Sequence, residues 1–383
     1  MGIDKRIFLA SPHMSEEGYE MQYIKEAFDT NWIAPLGENV TWFESEMCGR
    51  LGAKAAVALS SGTAAVHLAL KLLNVKKGDF VFCQSLTFSA TANPILYERG
   101  IPVFIDSDLD SWNMSPEALE RAFERYDRRG IRPKAVIVVH LYGLAADMER
   151  IQKICRKYDT PIIEDAAESL GTSFRGKNTG TFGEFGIISF NGNKIITSSG
   201  GGMLLCNTED AEEKAKKALF WATQAREPER YYQHRELGYN YRMSNIVAGI
   251  GRGQLKVLDK RIEQKRNIYK YYEQAFAQIE DVSMMPIHDE RERSNCWLTC
   301  ITIDKESKIN PLDIEVALEK ENIEARPIWK PMHMQPIFAE CDYIDNSGVA
   351  QQLFEQGVCL PSDTKMTEAD LERVAGIVKR LWK

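Results

Sequence analysis

At 383 residues, 44% of them hydrophobic, the chain exceeds what one compact core usually holds and is expected to fold as two domains. Its net charge of -7, with acidic and basic residues mixed throughout, leaves no basic stripe for nucleic acid and no polybasic anchor for a membrane. The amino terminus, MGIDKRIFLASPHM, lacks the apolar run of a secretory signal and carries Lys5 and Arg6 where a myristoylation signal needs a hydroxyl. No window reaches the roughly 18 apolar residues of a membrane span. Eight cysteines without CxxC spacing or nearby histidines suit reduced thiols, so a cytoplasmic protein is expected. Cys296 and Cys300 are spaced to share a strand face, but two further ligands are missing and no metal site is expected.

In chain order, VALS, DFVFCQ, IPVFID, AVIVVHLYG, PIIED, FGIISF and GGMLLC read as short strands. SGTAAVHLALKLL, SPEALERAFERY and DMERIQKICRKY lie between them with apolar residues recurring at three and four, the helical spacing. Alternation of this kind predicts an α/β fold: a mostly parallel sheet covered by helices, forming a large domain over residues 1–245. From Ser244 to about Ile279 the helical period continues longer than in an ordinary globular helix and predicts a helix linking two domains. The remainder of 246–383 reads as a smaller α+β domain. In it CWLTCITID is a strand, PLDIEVALEKENI a helix begun by Pro311, and TEADLERVAGIVKRLW a terminal helix capped by Thr367. No internal repeat or low-complexity tract interrupts the chain.

SSGTAAVHLAL places Ser60, Ser61, Gly62 and Thr63 at a helix start, where free N–H groups and the macrodipole favour a phosphate. The plainer reading is an ordinary Ser/Thr cap. Ser189 ends a strand and offers one more hydroxyl to the same phosphate. Asp165 closes the apolar run PIIED at the sheet's carboxyl edge, where open α/β sheets bind ligands; on its own it reads equally as a helix cap. Lys194, in SFNGNKIITSSGGG, would alone be a solvated surface lysine. Between Gly192 and the Gly200–Gly202 run, in a segment this poor in charge, it reads as a nucleophile. A phosphate cup, an acid and an unpaired lysine are together what a pyridoxal phosphate site needs.

With NWIAPLGENVTWFE, SSGTAAVHLAL, TFSATANPI, IEDAAES, SFNGNKIITSSGGGM, GYNYRMSNIVAGIGRGQL and RPIWKPMHMQPIF in the same order, nearly the whole chain resembles the DegT/DnrJ/EryC1/StrS family of nucleotide-sugar aminotransferases. The resemblance implies the fold-type I architecture of the aspartate aminotransferase superfamily, with pyridoxal 5'-phosphate as cofactor and pyridoxamine phosphate as its second state. NGNKIIT, GGGM and RPIWKPMH are similar to the subgroup that aminates UDP-4-keto-6-deoxy-N-acetylglucosamine on the way to bacillosamine. On matching positions, Lys194 would condense with the cofactor's aldehyde and serve as the acid/base. Asp165 would pair with the pyridinium nitrogen and Phe88 would stack on one ring face. The backbone of Gly62, Thr63 and Ala64, with the Thr63 and Ser189 hydroxyls, would hold the phosphate.

The resemblance also makes Asn240 a phosphate ligand of the neighbouring subunit, so a homodimer with shared sites is expected. Arg242 is expected to meet a substrate diphosphate or bridge that interface. Trp32, Ile33, Lys330 and His333 are placed for the sugar or nucleotide. One position departs from the family pattern: Glu168 stands where many members have Gln or His, beside the anionic 3′ oxygen of the cofactor. Because relatives that dehydrate have a histidine at the position of Lys194, the chain reads as a transaminase. Its expected partners are glutamate and a UDP-linked keto sugar, with a dTDP-linked 4-keto or 3-keto deoxysugar as the alternative.

Overall fold

The computed structural model describes residues 5–383; the first four residues of the amino-terminal stretch lie outside them. Seven strands form the main sheet: Ala55–Leu59 (β1), Phe80–Gln84 (β2), Ile101–Ile105 (β3), Ala135–Val139 (β4), Ile162–Asp165 (β5), Phe185–Ser189 (β6) and Gly202–Cys206 (β7). They lie in the order β1-β7-β6-β5-β4-β2-β3, with the short strand Tyr343–Ile344 beyond β3. Nearly every residue of β2 to β7 is buried, which explains why these strands read as unbroken apolar runs instead of alternating ones. All neighbours run parallel except β7, which is antiparallel to both β1 and β6. Gly202 therefore stands opposite Leu59 and Ser189 at once, so β7 begins where β1 and β6 end.

Helices Tyr19–Asp29 (α1), Glu38–Leu51 (α2), Gly62–Leu72 (α3), Ser89–Tyr97 (α4), Pro116–Asp127 (α5), Met148–Lys157 (α6) and Ala211–Ala222 (α7) accompany this sheet. Three of them start on side-chain caps: Ser61, Ser115 and Asp147 accept the N–H groups of Ala64, Ala118 and Arg150. Where the period predicts one long helix after Ser244, the structure has two, Asn245–Leu255 (α8) and Leu258–Phe276 (α9), parted at Lys256 and Val257. They serve different partners. α8 is pressed so closely on α1 and α2 that a Cβ at Gly253 would meet the Glu20 nitrogen at 2.5 Å and one at Gly251 the Phe43 ring at 2.6 Å. α9 turns away to pack on the second sheet.

That sheet is antiparallel, in the order Val282–Met284, Thr299–Ile303, Gly357–Leu360, Arg326–Pro327. It is covered by α9, Pro311–Lys320 (α10) and Glu368–Arg380 (α12), while Val349–Gln356 (α11) joins the shared core. α10 begins at Pro311 behind an Asn310–Asp313 capping box, and Thr367 caps α12 in the same way with Asp370. Two segments cross residue 245, the boundary expected from the sequence. Ile7 bridges Ile323 and packs with the second sheet, and Tyr343–Ile344 returns to the first. One apolar cluster runs from Phe43 and Phe190 to Trp297, Cys300 and Cys359, so the two sheets share a core directly beneath the site described next. Among the described residues no helix is long and apolar enough to cross a membrane.

Candidate active site

A cavity of about 390 Å³ opens at the carboxyl edge of β5 and β6, where the loop after β1 also arrives. Its floor is the start of α3. Ser61 caps that helix by accepting the Ala64 N–H at 3.0 Å, while Gly62 and Thr63, whose positions lack intrahelical acceptors, face the cavity. Backbones come together here more closely than side chains allow. A Cβ on Gly202 would lie 2.3 Å from the Gly62 nitrogen, and one on Gly62 would lie 3.3 Å from the Ser189 Cβ. Gly201 has a φ of +139°. Glycines at 62, 201 and 202 thus bring the Ser189 hydroxyl beside a helix amino terminus, a cup for a phosphate.

Across the cavity β5 ends on Asp165, which is buried yet reaches the lining. Thr91 Oγ1 donates to its Oδ2 at 2.6 Å, Thr87 lies 2.7 Å from the Thr91 hydroxyl, and the Ala167 N–H donates to Oδ1 at 3.2 Å. The carboxylate is therefore fixed in direction. Phe88, more than half exposed at the head of α4, forms one wall and meets Trp329 edge-on at 4.8 Å.

Lys194 hangs from a turn closed by its own N–H on Asn191 O. Its Nζ lies 3.5 Å from Glu168 Oε1 and 4.1 Å from the centre of the Trp297 ring. The Trp297 indole N–H donates to Asn193 O at 2.7 Å, so the ring is anchored to the turn that carries the lysine. Glu168 accepts the Tyr142 N–H on Oε2 at 2.8 Å, and burial pushes its carboxyl up despite the pull of Lys194.

Of the residues singled out in the sequence, Gly62, Thr63, Phe88, Asp165, Glu168, Ser189 and Lys194 line this one cavity. Ala64 does not: its N–H is already spent on Ser61, and the residue is buried in α3. Arg242 lies outside the lining: its guanidinium is taken up by the Glu44 carboxylate and by Ala58 O, at 3.1 Å. His333 stacks on Tyr343 at 3.7 Å with Nδ1 2.7 Å from Ser85 Oγ, a satisfied histidine outside the lining. Lys330 is exposed beside it, and its neighbour Trp329 faces the site instead. Asn240 is exposed and accepts from Gln224 at 3.1 Å; Trp32 and Ile33 are half exposed in the loop between α1 and α2. These three stand outside this chain's own cavity.

Sequence reasoning missed Trp297 and Trp329, both of which come from the second part of the chain. The sequence predicts Trp297 within the strand CWLTCITID, but it precedes the strand Thr299–Ile303, following Cys296 at a φ of 50°. That kink turns the indole toward Lys194. Asn191 and Asn193 also line the site, and their place on either side of the turn before Lys194 was the available signal.

The arrangement fits the group implied by the sequence: a phosphate cup, a fixed carboxylate for a pyridine nitrogen, an aromatic wall and a partly buried amine converge on one cavity. Among the described residues no group of three or more His, Cys, Asp or Glu side chains could hold a metal ion.

Comparison with known proteins agrees with this chemistry. The model of the DegT/DnrJ/EryC1/StrS aminotransferase family matches residues 14–379. The chain is 55% identical over 381 residues to a Bacillus subtilis protein named "Putative pyridoxal phosphate-dependent aminotransferase EpsN", covering 99% of this chain and 96% of that one. It is 34% identical over 369 residues to the GDP-perosamine synthase of Caulobacter vibrioides, with 96% of each covered. A solved DegT DnrJ EryC1 StrS aminotransferase from Brucella abortus superposes with a TM-score of 0.87 at 28% identity, over 95% of each chain.

Proposed function

This chain belongs to the DegT/DnrJ/EryC1/StrS aminotransferase family and is a pyridoxal phosphate-dependent sugar aminotransferase of fold-type I, and from that premise we propose that it transfers the amino group of glutamate to C4 of UDP-4-keto-6-deoxy-N-acetylglucosamine. The reading makes the product a UDP-linked 4-amino sugar of the bacillosamine type, used for surface glycan or exopolysaccharide. The observation that carries the chemistry is the convergence of Lys194, Asp165 and the Gly62–Thr63 helix start on one cavity. The UDP sugar rests on the NGNKIIT, GGGM and RPIWKPMH segments.

When bound, pyridoxal phosphate supplies an aldehyde that takes up an amine and a protonated ring that accepts the electrons of a carbanion. Each residue then has a defined task. Gly62, Thr63 and Ser189 bind the phosphate at the helix start. Asp165, held by Thr91 and the Ala167 N–H, keeps a proton on the ring nitrogen. Phe88 covers one face and excludes water from it. Lys194 Nζ takes the proton from the α-carbon of glutamate and, in the second half of the cycle, delivers one to C4 of the sugar.

The same proposal includes a homodimer, in which Asn240 reaches the neighbouring phosphate and Trp32 and Ile33 border the neighbouring sugar pocket; their position outside this chain's own cavity supports it. Eight free thiols support a cytoplasmic setting. A second reading, with GDP as the carrier, is favoured by the relative named GDP-perosamine synthase.

The test is proton NMR of the product after incubation with glutamate and the UDP-, dTDP- and GDP-linked 4-keto-6-deoxy sugars in parallel. Amination of the UDP sugar alone is the expected result. Clean amination of the GDP or dTDP sugar with none of the UDP sugar would keep the family chemistry and discard the bacillosamine assignment.

A further inference from the structure

Among the described residues, Glu168 and Trp297 stand at the Lys194 amine, and they differ in what they can do with a proton. The indole face of Trp297 attracts an ammonium ion but has no site to receive its proton. Glu168 has one. Its Oε2 is occupied by the Tyr142 N–H at 2.8 Å, which leaves Oε1, the oxygen 3.5 Å from Nζ, as the free end of the carboxylate. Among the described residues, Lys194 and the Tyr142 N–H are the donors that reach this carboxylate. The remaining titratable groups around it are Asp165, the Tyr142 hydroxyl and the Cys300 thiol. None of these is a competing cation.

We propose that Glu168 is the proton partner of Lys194: the two side chains share one proton, held on Nζ while the amine is idle and on Oε1 while the amine acts as nucleophile or base. The transfer breaks one N–H bond and makes one O–H bond, and the net charge of the pair stays zero in both states. Burial is what makes the two states comparable. Both side chains are largely removed from water, so the charged arrangement loses much of its advantage over the neutral one. The rise imposed on the Glu168 carboxyl by burial acts in the same direction. The shared proton also removes a conflict visible in the sequence. An ionised carboxylate would repel the anionic 3′ oxygen implied beside it, whereas a carboxyl that has taken up the lysine's proton carries no charge.

The inference rests on Lys194 as the cofactor-bearing lysine, and the experiment separates the two claims. Pyridoxal phosphate is added to the full-length protein and the infrared difference spectrum is recorded, with Glu168→Gln in parallel. Borohydride reduction and peptide mass spectrometry then locate the attached cofactor. The wild type is expected to gain the C=O stretch of a protonated carboxyl, sensitive to deuterium oxide and to ¹³C-labelled glutamate. Glu168→Gln should lack that band, carry the adduct on Lys194 all the same, and take up pyridoxal phosphate about 10²-fold more slowly. Trp297→Phe, which keeps an aromatic face, should keep the band. Absence of the band from the wild type with the adduct on Lys194 overturns the proton sharing and leaves the functional reading intact. An adduct on another lysine overturns both. If Glu168→Gln does not fold, the labelled wild-type spectrum decides by itself.

Discussion

Two consecutive acids on β5 illustrate how much one residue's direction matters. Successive side chains of a strand point to opposite faces, so Asp165 enters the cavity and Glu164 enters the core. There Glu164, fully buried, accepts the Gly180 N–H at 2.8 Å, the Gly183 N–H at 2.6 Å and His140 Nε2 at 2.9 Å, while His140 Nδ1 accepts the Ala146 N–H. Glu164→Ala is expected to lose roughly 3–5 kcal/mol in urea unfolding, because it strands a histidine and two amides. Asp165→Asn should keep normal unfolding and lose about 10²-fold or more in turnover, measured as product formed from glutamate and keto sugar. Gly202→Ala tests the close approach at the cup. Its Cβ must displace the Gly62 amide, so titration should show pyridoxal phosphate binding weakened about tenfold or more, with Ser189→Ala milder. The sequence placed Lys194, Asp165, Gly62 and Thr63 correctly in relation to their elements because each sits in a short local motif. Trp297 and Trp329 were not legible: nothing local distinguishes a cavity tryptophan from a core one, and only the folding of the second part of the chain brings these two into the cavity.

Among the elements, strands and capped helices were readable from period and cap chemistry. Direction was not. GGMLLC has the composition of a buried strand whichever way it runs, so the antiparallel insertion of β7 between β1 and β6 appears only in the fold. The break between α8 and α9 was hidden for a similar reason: the apolar period persists through Lys256 and Val257, while the two halves answer to different partners. α9 carries its own testable feature. Lys265, buried within it, donates to Trp297 O at 2.9 Å and to Ser362 O, tying the helix to the segment that holds the indole over Lys194. Burial lowers its amine from 10.5 to about 8. Between those values the unfolded chain binds more protons than the folded one, so this group makes stability rise with pH across that window. Buried thiols such as Cys296, pushed up to about 12 by burial, act in the opposite sense at high pH. The readout is therefore the difference between wild type and Lys265→Met in denaturant unfolding from pH 7 to 10, in which the wild type alone should show the rising contribution.

At the scale of the whole molecule, the exposed apolar side chains are not scattered evenly. Trp32, Ile33 and Leu36 share one loop with Trp42 close behind, and Tyr231, Tyr232 and Leu237 stand out just before Asn240. Large exposed residues grouped beside a site suit a self-complementary contact. If Asn240 completes the neighbouring site, mixing inactive Lys194→Ala chains with inactive Asn240→Ala chains should restore activity in about a quarter of all sites, since each mixed dimer regains one. No recovery after verified subunit exchange would show that each chain works alone. The expected pairing rests on family resemblance alone, because a surface aromatic carries no mark of what covers it.

The antiparallel strand β7 and the two late tryptophans also fix when this site comes into being during synthesis. β1 sits at the sheet edge with β7 as its partner strand, so the turn at Gly62 acquires that partner after residue 206 has been made. The wall at Trp329 arrives more than a hundred residues later. At about 5–20 residues per second, a ribosome spends several seconds between those events. Until Trp297 and Trp329 have been made the cavity lacks one wall and Lys194 its indole neighbour, so stable capture of the cofactor is expected only after that point, measurable as pyridoxal phosphate retained by chains stalled before and after residue 329.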